Sequence, residues 1–383
     1  MARREEGLVR YTRAFLDGTR LPPPFSADPF YLERLFVEAD HEGVGPLLAY
    51  SLRDEPRLHS AHLERLETEW RRAKGRSLHA AESLRSLLEA FRVAGIRAIP
   101  LKGPLLAERL YLDPALRPTS DLDLLIGKAD LHRVDELLVR LGYRRAPDAH
   151  TFEFDVAYDR ATFYTHAEML PVDLHWDLLS SESFARGSRV IVDEVWERVV
   201  SADFAGVEGA TLCDEDLLVY LALHLAVHHA CSGLIWLLDI ALLLDQRGER
   251  MNWEAVVERA RRWRVMRALF FALESVRGCY GRSAPESVRR EFRPRDPRGA
   301  LMSWLLRRAG LRRLDHLIPL LLIERGRDLI GPLRHAMVPS PGWVRARYGH
   351  DGAGLLRCYG RHVKRVARIF ARLGGGMSTR ERV

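Results

Sequence analysis

The stretch TSDLDLLI, residues 119–126, decides the fold of this chain and the chemistry it can support. Its apolar run after a polar loop predicts a buried β-strand over 121–126. Because side chains alternate along a strand, Asp121 and Asp123 project from one face and Leu122 and Leu124 from the other. Two carboxylates on one face of an apolar strand repel each other and lose hydration. A bound divalent cation reverses that cost, so the pattern predicts a Mg²⁺ or Mn²⁺ site.

The segment before this strand is typical of a phosphate-binding turn. Residues 96–101 are mostly apolar and predict a second buried strand, and a helix is predicted over 104–111, with a proline at its first position. Between them, Gly103 allows the backbone to approach a phosphate closely, and Lys102 adds a positive charge. These two residues are therefore candidates for nucleotide binding.

The loop over residues 112–120 holds two further candidates for nucleotide binding. Arg117 has the charge to contact a phosphate, and Ser120 has a hydroxyl that can face a ligand. The alternatives are a solvated arginine and an ordinary turn residue, and the sequence leaves both open.

A third carboxylate follows the DxD strand at a distance. A helix is predicted over residues 129–141, and strands over 152–158 and 169–176. In the last strand Asp173 and His175 share a face. If that strand pairs with the DxD strand, all three carboxylates can surround the same metal cluster, because neighbouring backbones lie about 4.8 Å apart. His175 is then either part of the site or a polar neighbour of Asp173.

Two histidines and an aspartate form a separate polar group further along the chain. His224 and His228 are four residues apart and share one helix face, and Asp239 lies on the next predicted helix. They are expected either to face the catalytic cleft or to form a hydrogen-bonded pair between helices. A zinc-dependent hydrolase built on these three residues is a rival hypothesis, although no glutamate follows the first histidine as in HExxH.

The order of these motifs resembles a known superfamily. The DNA polymerase β-like nucleotidyltransferases have the same order of elements: a strand, a glycine, a helix, a strand with Asp-x-Asp, and a lone aspartate on a later strand. More closely, LKGPLLAERLYLDPALRPTSDLDLLI, then VDLHW, then LxxHxxxH resembles the bacterial uncharacterised nucleotidyltransferase family, over roughly residues 30 to 280. Aminoglycoside nucleotidyltransferases are similar in the Arg-x-x-Ser-Asp-x-Asp part. One departure is Lys102-Gly103, since the superfamily usually has Gly-Ser or two small residues there.

This resemblance implies a metal-dependent enzyme that moves a nucleoside monophosphate from an NTP, with ATP the first candidate, to an acceptor and releases pyrophosphate. It implies that Asp121 and Asp123 bind two Mg²⁺ or Mn²⁺ ions, and that Asp173 binds the ion that activates the acceptor. The sequence identifies neither the acceptor, which can be a small molecule, a peptide, a protein or an RNA, nor the base of the NTP. The alternative is a non-catalytic nucleotide-binding or scaffold protein that keeps the fold.

The expected fold class is α+β, with a small mixed sheet between two helical regions. The predicted regions are an N-terminal helical region over 1–94, a catalytic core over 95–200 and a C-terminal helical domain over 201–383. Gly75 is a candidate break in the long helical pattern of the first region, and residues 285–297 are expected to be a charged linker. A helix through residues 217–230 is predicted with Asp214 as its N-cap, and a further helix is predicted over 316–330.

Composition narrows the class of protein further. The 383 residues carry a net charge of +7, which is compatible with an anionic partner but also with a compositional bias towards arginine. The four cysteines lack a metal-binding spacing, and no apolar run reaches the ~20 residues of a membrane span, so we expect a cytoplasmic protein. A basic amphipathic helix with Val363 on its apolar stripe is predicted over residues 355–373. It is expected either to pack on its own domain or to contact an anionic surface.

Overall fold

A computed structural model describes residues 6–19, 28–146, 151–204, 206–307, 318–349 and 352–374. The proline run at 22–24, which predicts a turn or a linker, lies outside these residues. The strands of the described part are β1 (Ala98–Pro100), β2 (Leu122–Ile126), β3 (Arg144–Arg145), β4 (Ala161–Thr165), β5 (Val172–His175), β6 (Val200–Phe204) and β7 (Val207–Thr211).

The first five strands form one mixed sheet in the order β1-β2-β5-β4-β3. Only the central pair, β2 and β5, runs parallel, and the other neighbours are antiparallel. Every residue of β2 is buried. Leu122, Leu124 and Ile126 pack into a cluster with the second half of a long helix, whereas Leu125 packs into the larger helical core on the opposite face. The expected α+β class with a small mixed sheet is confirmed.

Helices make up most of the remaining described chain. They are α1 (Glu6–Leu16), α2 (Pro29–His41), α3 (Gly45–Leu52), α4 (Ser60–Val93), α5 (Pro104–Leu110), α6 (Leu131–Arg140), α7 (Phe152–Tyr158), α8 (Glu182–Gly187), α9 (Val192–Trp196), α10 (Asp214–Leu223), α11 (Leu234–Arg247), α12 (Trp253–Trp263), α13 (Met266–Tyr280), α14 (Glu286–Phe292), α15 (Pro297–Arg307), α16 (Ile318–Leu322), α17 (Ile330–Met337), α18 (Pro341–Tyr348) and α19 (Leu355–Gly374). Short 3₁₀ turns lie at Pro114–Leu116, Lys128–Asp130 and Gly326–Leu329, and one π-helical turn at His224–His228.

The strand predicted over residues 152–158 is wrong, because this segment is helix α7. The Thr151 hydroxyl accepts a hydrogen bond from the Phe154 backbone amide and thereby caps the helix. Phe152 and Phe154 are both buried although they are only two residues apart, and this spacing made the segment look like a strand. The missing strand is β4, which follows α7 and pairs with β5.

The predicted break at Gly75 is also wrong, because α4 continues through it. A glycine in a helix costs only about 1 kcal/mol relative to alanine. The buried side chains of Leu66, Trp70, Leu84 and Leu87 on either side of it outweigh that cost.

Three predictions for the C-terminal region need correction. The charged stretch 285–297 contains helix α14, whose Phe292 is buried. The single helix expected over 316–330 is divided, since α16 ends at Leu322 and α17 begins at Ile330. The N-cap of α10 is Cys213 rather than Asp214, and the preceding hairpin of β6 and β7 was not predicted.

The basic C-terminal helix α19 packs on the chain itself. Cys358 and His362 are buried, and Tyr359 donates a hydrogen bond to the Pro339 carbonyl. Val363, which was expected on its packed stripe, is exposed. Contact of this helix with an anionic surface stays a prediction, as does the division into three regions. Among the described residues, no helix is long and apolar enough to cross a membrane.

Candidate active site

The site forms where the two parallel central strands lie side by side. Asp123 of β2 is the register partner of Asp173 of β5. This pairing, which was the condition for a common site, brings the DxD motif and the lone aspartate together. His175 lies two residues beyond Asp173 and therefore on the same face of β5.

Asp123 is the buried centre of the site and is only 3% exposed. Its Oδ1 lies 2.8 Å from Lys102 Nζ and 3.4 Å from His175 Nε2. Burial alone would raise the pKa of Asp123, but contact with His175 and the charge of Lys102 hold that pKa below its usual range. Asp123 is therefore a carboxylate that two neighbouring cations stabilise.

His175 bridges the two paired aspartates. Its Nε2 lies 3.1 Å from Asp173 Oδ2 as well as beside Asp123. Burial lowers its pKa, but the two carboxylates outweigh burial and raise it to about 9. His175 thus contacts both acids and belongs to the same group of side chains.

Asp123, Asp173 and His175 form the one group of potential metal ligands found in the described part of the chain. Each offers a ligand atom, and these atoms lie within 4.8 Å of one another. Asp123 Oδ1 and His175 Nε2 are buried and lack a partner with hydrogen-bond geometry, so their close contacts are ion pairs without good alignment. Carboxylate oxygens and an imidazole nitrogen suit a divalent ion, and the residues therefore fit one.

Asp121 lies at the edge of this group rather than inside it. Its Oδ1 accepts a hydrogen bond from Ser120 Oγ at 2.9 Å. Burial, together with the negative charge of Asp123, raises the pKa of Asp121. The two acids of the DxD motif therefore differ: Asp123 is stabilised as an anion, and Asp121 is destabilised as one.

Gly103 has a backbone conformation that needs glycine. Its φ is +64° and its ψ is −125°. A Cβ atom there would lie 3.1 Å from Thr119 Cγ2 and 3.5 Å from the Asp121 carbonyl oxygen. The turn is thus folded closely onto the start of the DxD strand, and it places Lys102 beside Asp123.

Arg117 is not a free loop arginine. Its guanidinium donates two hydrogen bonds to Asp239, at 2.9 and 2.8 Å, and Tyr111 donates a third to the same carboxylate at 2.8 Å. Arg117 and Asp239 are 6% and 1% exposed. The contacts of Asp239 are therefore with Arg117 and Tyr111 rather than with the two histidines it was grouped with. Phosphate binding by Arg117 stays a prediction.

A histidine cluster on the π-helical turn borders the acidic group. His224 Nε2 lies 3.5 Å from Lys102 Nζ and 2.9 Å from His229 Nε2, while His228 Nε2 lies 3.1 Å from Ser180 Oγ. Burial lowers the pKa of His228 to about 4 and that of His229 to about 3. These histidines are therefore neutral near neutral pH, and they offer hydrogen-bond donors and acceptors beside Lys102 and the acids without adding charge.

Sequence reasoning missed two residues beside this cluster. The His229 ring is stacked on Trp236, with centroids 3.2 Å apart. The signal was the second histidine of the His228-His229 pair, which lies five residues after His224 and meets it because the helix makes a π turn there. π-helical turns occur often at functional sites, so the local distortion agrees with this position.

An open cleft of about 760 Å³ runs along these groups. It is lined by Lys102, Gly103, Ser120, Asp121 and Asp123 from the core, and by His224, His229 and Trp236 from the C-terminal region. Residues of α2 and α4, including Asp40 and Arg76, form the remaining wall. The cleft is large enough for a nucleotide or for a small acceptor.

Comparison with known proteins assigns the chain to a family. Residues 28–281 match the sequence model of a family described as "Uncharacterised nucleotidyltransferase". The chain belongs to this family. Neither the curated proteins nor the solved structures contain a match. The matched residues include the whole sheet and the histidine cluster, and membership of the family supports an enzyme that transfers a phosphorus-containing group.

Proposed function

We propose that the protein is a metal-dependent nucleotidyltransferase of the DNA polymerase β-like type, which moves a nucleoside monophosphate from an NTP to an acceptor and releases pyrophosphate. The observation that carries the proposal is the parallel register of Asp123 with Asp173, with His175 joining them. ATP is the first candidate donor. Nucleotidyl transfer depends on positioning of the reactants and neutralisation of charge more than on covalent catalysis. The clustered acids and Lys102 are suited to positioning and to charge neutralisation.

The proposed roles follow from position. Gly103 allows the triphosphate to approach the backbone, and Lys102 and Ser120 point into the same cleft and neutralise or hydrogen-bond phosphate oxygens. Asp121, Asp123 and Asp173, with His175, hold Mg²⁺ or Mn²⁺. When bound, such an ion neutralises phosphate charge and lowers the pKa of an attacking hydroxyl.

The acceptor is expected to reach the site from the side of β5. Asp173 is 29% exposed there, more than Asp123, and is thus the carboxylate that an acceptor hydroxyl can approach. His228 Nε2 lies 3.1 Å from Ser180 Oγ, and its neutral imidazole can hydrogen-bond and position the acceptor there.

The direct experiment is a screen with α-labelled NTPs and Mg²⁺ or Mn²⁺ against small molecules, peptides, RNA and the protein itself. We expect label transfer with pyrophosphate release by the wild type and loss of transfer in Asp173→Asn. Asp155→Asn is the matched control. Asp155 is also an aspartate, but it lies on α7 and outside the group formed by Asp123, Asp173 and His175. Equal transfer by wild type and Asp173→Asn would reject the proposed site.

A non-catalytic nucleotide-binding protein is the second candidate, and the Lys102–Asp123 ion pair favours it. A lysine against the central carboxylate occupies space that a metal would need. This candidate predicts nucleotide binding without pyrophosphate release with any acceptor class, and the same labelled screen distinguishes it.

A further inference from the structure

We propose that Lys102 and a divalent cation compete for Asp123, so that metal binds tightly only after Lys102 has moved to the phosphates of an incoming nucleotide. This inference rests on the proposed function and adds an order of events to it. Lys102 is then a positioning residue that couples the arrival of nucleotide to the arrival of metal.

The first observation is the contact itself. Lys102 Nζ lies 2.8 Å from Oδ1 of Asp123, and Oδ1 is fully buried. Asp123 is also a member of the one potential metal-ligand group of the described residues. An ammonium and a metal ion close to one carboxylate repel each other strongly, because both are cations in a site with little solvent. Lys102 therefore opposes metal binding for as long as it stays there.

The second observation is that Lys102 is able to leave. Its side chain is 14% exposed and it lines the open cleft, whereas Asp123 is fixed in the centre of the sheet between β1 and β5. Its only other polar contact among the described residues is His224 Nε2 at 3.5 Å, the outer limit of a hydrogen bond. A lysine ammonium on a four-carbon stem needs only rotamer changes to reach another anion.

The third observation is where it would go. Lys102 directly precedes Gly103, and both residues line the cleft together with Ser120. A triphosphate in this cleft carries more negative charge than Asp123 and would attract the ammonium. Its departure would leave Asp123, Asp173 and His175 with a deficit of positive charge, which a divalent ion can fill.

The test measures Mn²⁺ binding by the full chain with electron paramagnetic resonance, so it does not depend on turnover. Wild type, Lys102→Met, Lys102→Arg and Arg76→Met are titrated with and without α,β-methylene-ATP. Arg76→Met is the matched control, because Arg76 lines the same cleft but pairs with Glu69. Melting temperatures establish that each variant is folded.

Without nucleotide, we expect Lys102→Met to bind Mn²⁺ at least about tenfold more tightly than wild type. The reason is that the variant no longer places a positive charge beside Asp123, and a tenfold change in affinity needs only a modest repulsion. Lys102→Arg keeps the charge and should stay weak, and Arg76→Met should change by less than about twofold. With the nucleotide analogue, wild type should gain Mn²⁺ affinity, and Lys102→Met should bind the analogue more weakly.

The outcomes separate the inference from the proposed function. If wild type binds Mn²⁺ only with the analogue but Lys102→Met gains no more than Arg76→Met, competition is rejected and the proposed function stands. If no variant binds Mn²⁺ under either condition, both are rejected. Tight Mn²⁺ binding by wild type without nucleotide also overturns the inference.

Discussion

Arg117 and Asp239, 122 residues apart in the chain, form a buried ion pair that joins the loop before the DxD strand to helix α11. Removing one partner of such a pair leaves an uncompensated buried charge. We therefore expect Asp239→Ala to lower the free energy of unfolding by about 3–5 kcal/mol. Denaturant unfolding followed by circular dichroism measures this.

The double variant Arg117→Met/Asp239→Leu is the control for that prediction. It removes both charges, so much of the lost stability should return. If Arg117 instead serves mainly to bind phosphate, Arg117→Met will weaken nucleotide binding while unfolding stays nearly unchanged, and the structural role would be wrong.

Substituting the two acids of the DxD motif should have different effects on the stability of the protein, although both acids are needed for activity. Asp121→Asn and Asp123→Asn should each slow transfer by about a hundredfold or more, since a metal supplies several kcal/mol of charge stabilisation. Asp121→Asn should leave stability unchanged or higher, because burial and Asp123 disfavour its charge. Asp123→Asn should lower stability, because Lys102 and His175 lose their counter-ion.

Thermal unfolding in EDTA at neutral pH measures that difference. The pKa of Asp123 is lowered in the fold, so its contribution is present above the unfolded pKa and is lost as the pH falls. Equal melting temperatures for the two variants would contradict the assigned charge states.

Gly103→Ala should disrupt the turn beside the site. The φ and ψ of Gly103 are strained for any residue with a Cβ, and the new methyl would press on Thr119. We expect a loss of about 1–3 kcal/mol of stability and weaker nucleotide binding. Gly75→Ala is the contrasting control: it lies in α4 with open space around it and should stabilise by about 1 kcal/mol. Unchanged nucleotide binding by Gly103→Ala would refute the role of the turn.

The pH dependence of stability should contain a contribution from Asp155. Burial raises its pKa from 3.8 to about 6, despite a hydrogen bond from Thr162. Asp155 thus holds its proton more tightly in the folded state than in the unfolded state. The stability that this proton contributes is fully present below pH 3.8 and is lost as the pH rises through 6. Asp155→Asn, whose amide oxygen can still accept from Thr162, should be more stable above pH 6, on the order of 1–2 kcal/mol. A constant difference between pH 4 and pH 8 would show that the acid does not titrate this way.

The sequence predicted the sheet where alternation and apolar runs left little choice. The shared face of Asp121 and Asp123 follows from period-two geometry, whereas the pairing of the 121–126 strand with that of Asp173 was only the condition for a common site, and the structure meets it. Phe152 and Phe154 misled the same reasoning, because two apolar residues with one charged residue between them match the alternation of a strand, although the segment is a helix that also buries Asp155. The Thr151 cap that decides between them depends on one hydrogen bond.

Long-range partners were beyond sequence reasoning. Nothing local indicates that Arg117 belongs to Asp239 rather than to a phosphate, or that Lys102 reaches Asp123. Both choices depend on how α11 and the 102–103 turn pack on the sheet. The sequence therefore indicated candidate residues for the site but could not assign the counter-ion of each charge.

The most direct test of the central claim needs no acceptor. ATP, GTP, CTP and UTP are titrated calorimetrically into wild type, Asp123→Asn and Asp173→Asn, with Mg²⁺ or Mn²⁺ and again in EDTA. The account predicts that at least one NTP binds wild type only with metal, and that both variants lose this binding, because clustered carboxylates repel a triphosphate unless a cation lies between them. Equal affinity of wild type with metal and in EDTA would contradict the proposed metal-dependent site.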